Sequence, residues 1–154
     1  MLPRTYDNQV CSVARALEVL GDRWTLLVLR DAFSRVRRFE DFQRSLGVAR
    51  NVLTDRLNRL VEEGILRRVP YQERPVRFEY RLTDKGRELW PVMMTLMQWG
   101  DRHYIEPEGP PVVVRHRECG GEVNGHLSCS KCGAELGPYD VEAVPGPGAV
   151  HAAA

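Results

Sequence analysis

Two short segments with helical spacing, joined through a glycine, constrain this chain most. Phe39, Phe42 and Leu46 recur at three- and four-residue steps in residues 39–46, and residues 50–63 repeat such a pattern. Gly47 takes positive φ without penalty, so it is predicted to end the first helix. The second segment has one apolar stripe and is predicted to pack it against a core. The stripe consists of Leu53, Leu57, Leu60 and Val61.

The flanking sequence predicts further helices and a β hairpin. The predicted elements are helices over residues 11–20 and 23–33 and strands over residues 65–70 and 78–82. Residues 71–76 include Pro75 and are too many for a tight turn, so we expect a projecting loop, a wing. Thr83 is predicted to cap a helix that runs toward Tyr104, with a kink or a restart at Pro91.

The polar side of residues 50–63 carries side chains suited to DNA. Short polar groups can meet base edges in the major groove, and arginine can bind phosphate or guanine. Residues 35–68 hold nine arginines, no lysine and five acidic residues. The predicted DNA-binding residues are Arg38, Arg50, Asn51, Thr54, Asp55, Asn58, Arg59, Arg74 and Arg77. Arg56 is also expected to reach phosphate or guanine. The pattern alone leaves open an amphipathic bundle helix whose polar side is merely solvated.

Five short motifs follow one another between residues 21 and 86. They are GDRWTLLVLR at 21–30, RFEDF at 38–42, VLTDRL at 52–57, EGIL at 63–66 and YRLTDKG at 80–86. In this order they resemble the HxlR-type regulators, bacterial winged-helix proteins related to the MarR group, and the resemblance covers about residues 10–104. It implies a homodimer in which residues 50–59 of each protomer read an operator half-site. It also implies that residues 90–104 and the first helix pair the protomers.

The apolar side chains of the predicted helix that runs toward Tyr104 have a second interpretation, which involves one protomer alone. Met93, Met94, Met97 and Trp99 can pack within a protomer instead of against a second copy. A helix with apolar residues on more than one side favours both kinds of packing at once.

Cys11 stands at the predicted start of the first helix. Some relatives among the HxlR-type regulators carry a cysteine there that senses electrophiles or oxidants, and a helix N-terminus can activate a thiol. Cys11 is therefore a candidate redox sensor. Cysteines are also commonly buried for packing, and Ser12 stands where the sensing versions have a proline. We expect Cys11 to be mainly structural.

Two ligand pairs with the spacing of zinc knuckles lie near the C-terminal end. The predicted ligands of one structural Zn²⁺ per chain are His116, Cys119, Cys129 and Cys132. Glycines follow Cys119 and Cys132 directly, which lets backbone N–H groups turn toward thiolate sulfur. Two alternatives stay open: His126, expected on a strand entering the second pair, replaces His116, or the thiols hold no metal.

The sequence predicts a mainly α (α+β) fold, a winged helix-turn-helix domain with a short β wing and a small zinc-ribbon-like β segment. The whole chain has a net charge of +1, yet residues 105–154 hold three basic and seven acidic residues. The positive charge therefore lies in residues 1–104. The predicted divisions are a DNA-binding and dimerisation domain over 1–104, a linker over 105–111, a zinc-ribbon-like extension over 112–144 and a flexible tail over 145–154.

These features predict a sequence-specific DNA-binding transcription regulator, expected to be a homodimeric repressor of double-stranded operator DNA. The alternative is a zinc-ribbon interaction adaptor in which DNA binding is secondary. We expect no enzyme, because no nucleophile–base set, phosphate loop or open metal position is recognisable. Residues 1–7 lack an apolar core and no run approaches a membrane span, so we expect a cytoplasmic protein without a membrane partner. A small-molecule or redox effector is expected as a further partner, although no residue pattern names one.

Overall fold

Six helices and two pairs of antiparallel strands make up the computed structural model, which describes residues 5–8 and 12–147. The first four helices are α1 (Ser12–Leu20), α2 (Thr25–Phe33), α3 (Phe39–Leu46) and α4 (Arg50–Glu62). Then follow β1 (Leu66–Glu73), β2 (Val76–Leu82), α5 (Asp84–Arg87), α6 (Trp90–His103), β3 (Val112–His116) and β4 (Val141–Pro145). The chain divides into two units, Met1–Arg87 and Glu88–Ala154. The predicted domain divisions stay a prediction.

The core of the first unit is built by the helices that the apolar stripes predict. Its fully buried side chains come from α2, α3, α4 and the start of β1, and they are Val28, Leu29, Phe42, Leu53, Leu57, Leu60 and Leu66. Gly47 ends α3 at φ 60°, in the left-handed region that favours glycine. The mainly α, winged-helix fold predicted from the sequence is confirmed.

Strands β1 and β2 form the wing, and its tip differs from the prediction. The two strands pair from Leu66 opposite Leu82 out to Glu73 opposite Val76. Only Arg74 and Pro75 connect them, so the prediction of a long loop over residues 71–76 was wrong.

Two features let the wing strands extend further than the sequence pattern indicated. The register shifts between Pro70 and Gln72, so an extra residue is accommodated as a bulge. The Gln72 side-chain amide also donates to the carbonyl oxygens of Arg74 (3.2 Å) and Pro75 (3.1 Å). In a two-stranded sheet each strand is an edge strand, where a proline such as Pro70 is tolerated.

The helical stretch after the wing is interrupted, as the restart alternative predicted. Thr83 caps α5, because its hydroxyl oxygen accepts a hydrogen bond from the Gly86 N–H at 3.0 Å. Helix α6 then begins at Trp90 with Pro91 in its first turn, where a proline is tolerated. No helix in the described part of the chain has both the length and the apolar character of a membrane span.

The second unit combines α6 with the pair β3 and β4. Val112 lies opposite Pro145 and His116 opposite Val141 in this short ladder. Isolated bridges join Val123 to Cys129 and Ser128 to Glu135. Pro145, predicted to begin an irregular tail, is the last residue of β4, and residues 148–154 lie outside the described residues.

Candidate nucleic-acid interface and metal centre

Helix α4 has one fully buried side and one polar, solvent-facing side. Leu53, Leu57 and Leu60 point into the core, whereas other positions of the helix are open to solvent. The exposed predicted DNA-binding residues on it are Arg50, Asn51, Thr54, Asp55 and Arg59, and Asn58 is half-buried. A helix that is anchored on one side and free on the other has the form that a major-groove reader needs.

Neighbouring groups restrict what two of these polar side chains can offer a base. The Thr54 hydroxyl donates to the Arg50 carbonyl oxygen at 2.8 Å, so its oxygen is left as an acceptor. Asn58 Oδ1 accepts a hydrogen bond from Arg68 Nη2, so the amide group of Asn58 is left as a donor. Sequence spacing did not single out Arg68, which lies on β1.

Two other arginines of α4 are engaged in ion pairs. Arg56 Nη1 lies 3.3 Å from Asp22 Oδ2, and both side chains are partly buried. This contact ties α4 to the segment before α2, so Arg56 has a structural partner where the sequence predicted a DNA contact. Arg59 remains exposed, and its Nη2 lies 2.9 Å from Oε1 of Glu63, the residue that follows the helix.

The predicted wing arginines are exposed at the tip of the hairpin. Arg74 is in the connecting turn, and Arg77 is the second residue of β2. Both lie at the end of the wing farthest from its first pair, Leu66 and Leu82. Both side chains are therefore open to solvent at the tip of the wing.

Arg38 joins the start of α3 to the wing. Its guanidinium carbon lies 4.4 Å from the centre of the Tyr71 ring, and its Nε is 3.7 Å from Glu79 Oε1. The Tyr80 N–H also donates to the Arg37 carbonyl oxygen at 2.7 Å. Hydrogen bonding from Arg81, with the charges of Arg81, Arg37 and Arg38, holds the pKa of Glu79 below its ordinary value. The carboxylate thus stays charged and fixes the arginines around it.

The structure brings the four predicted metal ligands together in the second unit. His116 Nδ1 and the sulfur atoms of Cys119, Cys129 and Cys132 all lie within 4.8 Å of one another. Cys119 Sγ is 3.3 Å from His116 Nδ1 and 3.0 Å from Cys129 Sγ. One imidazole and three thiols at these distances could hold a metal ion, and this donor set suits tetrahedral Zn²⁺.

Hydrogen bonds prepare the thiols for a cation. The contact with Cys119, aided by the backbone N–H groups of Cys132 and Lys131, lowers the pKa of Cys129 to about 6. The same contact raises the pKa of Cys119, because one proton lies between two sulfur atoms. With the Cys129 thiolate already favoured near neutral pH, the cluster has one proton fewer to release when it takes up a metal.

Gly121 is required by the close packing of the cluster. A Cβ at this position would lie 2.3 Å from Cys129 Sγ, which no side chain can tolerate. Its backbone N–H also favours the Cys119 thiolate. This outcome agrees with the expectation that glycines after the cysteines direct N–H groups to sulfur.

His126 lies apart from the cluster that holds His116. It is exposed and stands in a turn, not on the strand that was expected. Asn124 Oδ1 forms this turn by accepting from the N–H groups of His126 (2.8 Å) and Ser128 (3.1 Å). The side chain of Asn124 therefore shapes the loop, and His116 is the histidine beside the thiols.

The loop between the two ligand pairs is attached to α6 by one side chain. The Gln98 amide donates to the carbonyl oxygens of Val123 at 3.2 Å and Asn124 at 2.8 Å. Sequence reasoning missed Gln98, because a partner 25 residues away leaves no local signal. Cys11, the candidate sensor, lies outside the described residues.

Known proteins resemble this chain in sequence and in structure. Residues 19–108 match the model of the HxlR-like helix-turn-helix family. A helix-turn-helix-type transcriptional regulator of Mycobacterium tuberculosis, Rv3095, which is named as uncharacterized, is 51% identical over 137 residues, covering 89% of this chain and 87% of the relative. The crystal structure of a candidate transcription factor, PA1607, is 40% identical with a TM-score of 0.72, covering 89% of this chain and 96% of that one.

A third similar protein covers a smaller share of the chain. The redox regulator HypR in its reduced form is 30% identical with a TM-score of 0.55, and the match covers 60% of this chain and 92% of that protein. The matches to Rv3095 and PA1607 are longer than the family segment, so part of the sequence outside it is shared as well. The structure has the buried helix-turn-helix core and the wing, and the family model matches more than half of the chain. The chain therefore belongs to the HxlR-like helix-turn-helix family.

Proposed function

We propose that this chain is a sequence-specific DNA-binding transcription regulator. The observation that carries the proposal is α4, a helix held by three fully buried leucines with an exposed polar side. The surrounding surface supplies arginines from α3, α4 and the wing, as binding to phosphate requires. The relatives named as helix-turn-helix-type transcriptional regulators support the same function.

The roles of the α4 residues follow from their remaining hydrogen-bonding capacity. Asn51 is exposed in the first turn and can bind adenine through its donor and its acceptor. Asp55 can accept a hydrogen bond from cytosine N4, as can the oxygen of Thr54. Asn58 offers the N–H groups of its amide, because its oxygen already accepts a hydrogen bond from Arg68.

The cationic residues have a second role, which is to fix the protein on the DNA backbone. Arg50 and Arg59 lie on α4, Arg38 precedes α3, and Arg74 and Arg77 lie on the wing. Phosphate contacts supply affinity and orientation without reading sequence. We infer that the wing follows the backbone beside the groove that α4 enters.

We further propose that the regulator acts as a homodimeric repressor in the cytoplasm, where its DNA target is found. Helix α6 exposes Val92, Leu96 and Trp99 at helical spacing, and α1 exposes Val13 and Leu17. Apolar stripes of this kind mark protein contacts, and a second copy supplies a matching stripe. A dimer that covers a promoter half-site with each recognition helix would block transcription. A small-molecule or redox signal that releases it belongs to the same proposal.

The second unit is proposed to hold one structural Zn²⁺ through His116, Cys119, Cys129 and Cys132. When bound, the metal supplies a fixed crosslink between the two ligand pairs and no open position for chemistry. Elemental analysis of protein purified without chelator should find about one zinc per chain. Cys132→Ser should lose the metal and His126→Ala should keep it. Zinc-free protein, or loss of zinc only in His126→Ala, would contradict the assignment.

Protection of upstream DNA tests the regulatory function directly. Purified protein is mixed with the intergenic fragment beside its own gene and with a scrambled fragment of the same length, and nuclease cleavage is mapped. We expect two protected half-sites on the first fragment only, with affinity that falls steeply with salt. An adaptor in which DNA binding is secondary would show no protected site and no salt dependence.

A further inference from the structure

Two exposed arginines near the wing each lie over an aromatic ring. The guanidinium carbon of Arg50 is 4.5 Å from the centre of the Phe39 ring, and that of Arg38 is 4.4 Å from the Tyr71 ring. Both rings are half-buried, while both arginines are exposed. A guanidinium that stacks on a ring keeps the N–H groups at its edge available for hydrogen bonds.

Three of these four residues line one open groove in the first unit. The groove has a volume of about 350 Å³, and its lining residues are Phe39, Glu40, Arg50, Tyr71, Pro75, Val76, Arg77, Phe78 and Tyr80. One part of this lining is cationic, through Arg50 and Arg77. A second part of the lining is apolar and consists of Val76 and Phe78, whose side chains are exposed on β2.

We propose that this groove binds the sugar–phosphate backbone of one strand of duplex DNA, with Phe39 and Tyr71 as positioning residues for Arg50 and Arg38. The inference rests on the proposed DNA-binding function and extends it to residues outside the predicted interface. Charge complementarity selects the occupant, since Arg50 and Arg77 in the lining would bind phosphates while deoxyribose carbons would lie against Val76 and Phe78. Arg38 stands beside the groove, stacked on Tyr71, and adds a third cation. Glu40 is the one acidic residue among those lining the groove in the described part of the chain.

The stacks matter because a free arginine loses side-chain entropy when it binds. Ordering a long side chain at an interface lowers the net affinity. Phe39 and Tyr71 already restrict their arginines in the free protein, and Glu79 adds a second contact to Arg38 at 3.7 Å. The aromatic residues therefore raise the affinity for DNA without adding charge to the interface.

The test separates positioning from charge through the salt dependence of binding. Operator affinity is measured at four salt concentrations for wild type, Phe39→Leu, Tyr71→Leu and Arg50→Ala. Each leucine variant should bind about 2–5-fold more weakly, the equivalent of an exposed cation–π contact, with the wild-type salt slope. Arg50→Ala should lower the slope by about 0.9, because one phosphate contact is lost.

A double-mutant cycle provides the control for Phe39. In the Arg50→Ala background, Phe39→Leu should have no further effect on DNA affinity, since no guanidinium remains to be positioned. Thermal unfolding of each variant shows that the comparison is made on folded protein, and Tyr71→Leu tests the proposal independently. Wild-type affinity in both leucine variants, or an equal loss with and without Arg50, would overturn the inference. Wild-type protein that shows no salt-dependent DNA binding would instead refute the proposed function.

Discussion

At the scale of single residues, hydrogen-bonding partners decide which groups of α4 are free for DNA. The sequence identified the polar positions, because their spacing opposite the leucine stripe follows from helix geometry. It did not identify the partners. Arg68 is ten residues from Asn58, and their hydrogen bond depends on how β1 runs beside α4. Arg56 was likewise expected at DNA, yet its ion pair with Asp22 depends on tertiary packing.

A wing arginine should contribute to binding in the same way on every DNA sequence. Arg77→Ala is expected to weaken specific and non-specific binding together and to lower the salt slope by about 0.9. Fluorescence titration at several salt concentrations measures both quantities. Arg117→Ala removes the same charge from the second unit and is the matched control. A change of base preference in Arg77→Ala would show that Arg77 contacts bases and not only the phosphate backbone.

A single methyl group should destroy the metal cluster. Gly121→Ala would place a carbon 2.3 Å from Cys129 Sγ, so we expect loss of bound zinc. Gly125→Ala is the matched control, because no atom lies within 4 Å of a Cβ added there. Zinc content measured on both purified variants decides the outcome. Full zinc occupancy in Gly121→Ala would show that the ligand arrangement differs from the one described.

At the scale of elements, helices were predicted better than the wing and the ribbon. Helix α3 begins and ends at the predicted residues, since a strong apolar period and Gly47 specify it locally. The wing strands were predicted too short, because a bulge after Pro70 and the side-chain hydrogen bonds of Gln72 let the pairing continue to the tip. The cluster of His116 with the three cysteines was predictable from the spacing of these residues. Its attachment to α6 through Gln98 was not, because the two groups are distant in sequence.

The buried side of α4 should contribute stability and not recognition. Leu57 has no exposed surface, so Leu57→Ala should lower the free energy of unfolding by about 2–5 kcal/mol. Denaturant unfolding followed by circular dichroism measures the change. At temperatures where the variant is folded, its base preference should equal that of wild type. A selective loss of operator discrimination in folded protein would contradict this division of roles.

At the scale of the whole molecule, the first unit carries the exposed arginines of α4 and the wing, whereas the ribbon of the second unit holds more acidic than basic residues. The sequence showed this asymmetry directly. The resemblance to the HxlR-type regulators implied that α1 and α6 pair the protomers, but a single chain does not specify what covers their apolar side chains. Their exposure in the structure supports pairing with a second copy. Cooperative occupation of two half-sites would then depend on the dimer.

Charge placed in the α6 stripe should weaken the dimer. Leu96 is 46% exposed within the stripe, and Leu96→Glu would bring two like charges to a self-complementary interface. Size-exclusion chromatography with light scattering should shift the mass of the variant toward the monomer. Arg102→Glu, on the same helix outside the stripe, should leave the mass unchanged. A monomeric wild-type protein, or a dimeric Leu96→Glu variant, would contradict the proposed interface.

Asn51→Ala tests most directly whether α4 reads DNA sequence. Binding of wild type and variant is titrated against the protected operator and a scrambled fragment at one salt concentration. We expect the variant to lose about 1–3 kcal/mol on the operator and almost nothing on the scrambled fragment, because a base contact distinguishes sequences and a phosphate contact does not. A folded Asn51→Ala protein with wild-type affinity and discrimination would show that this residue does not read the operator and would contradict the assignment of α4.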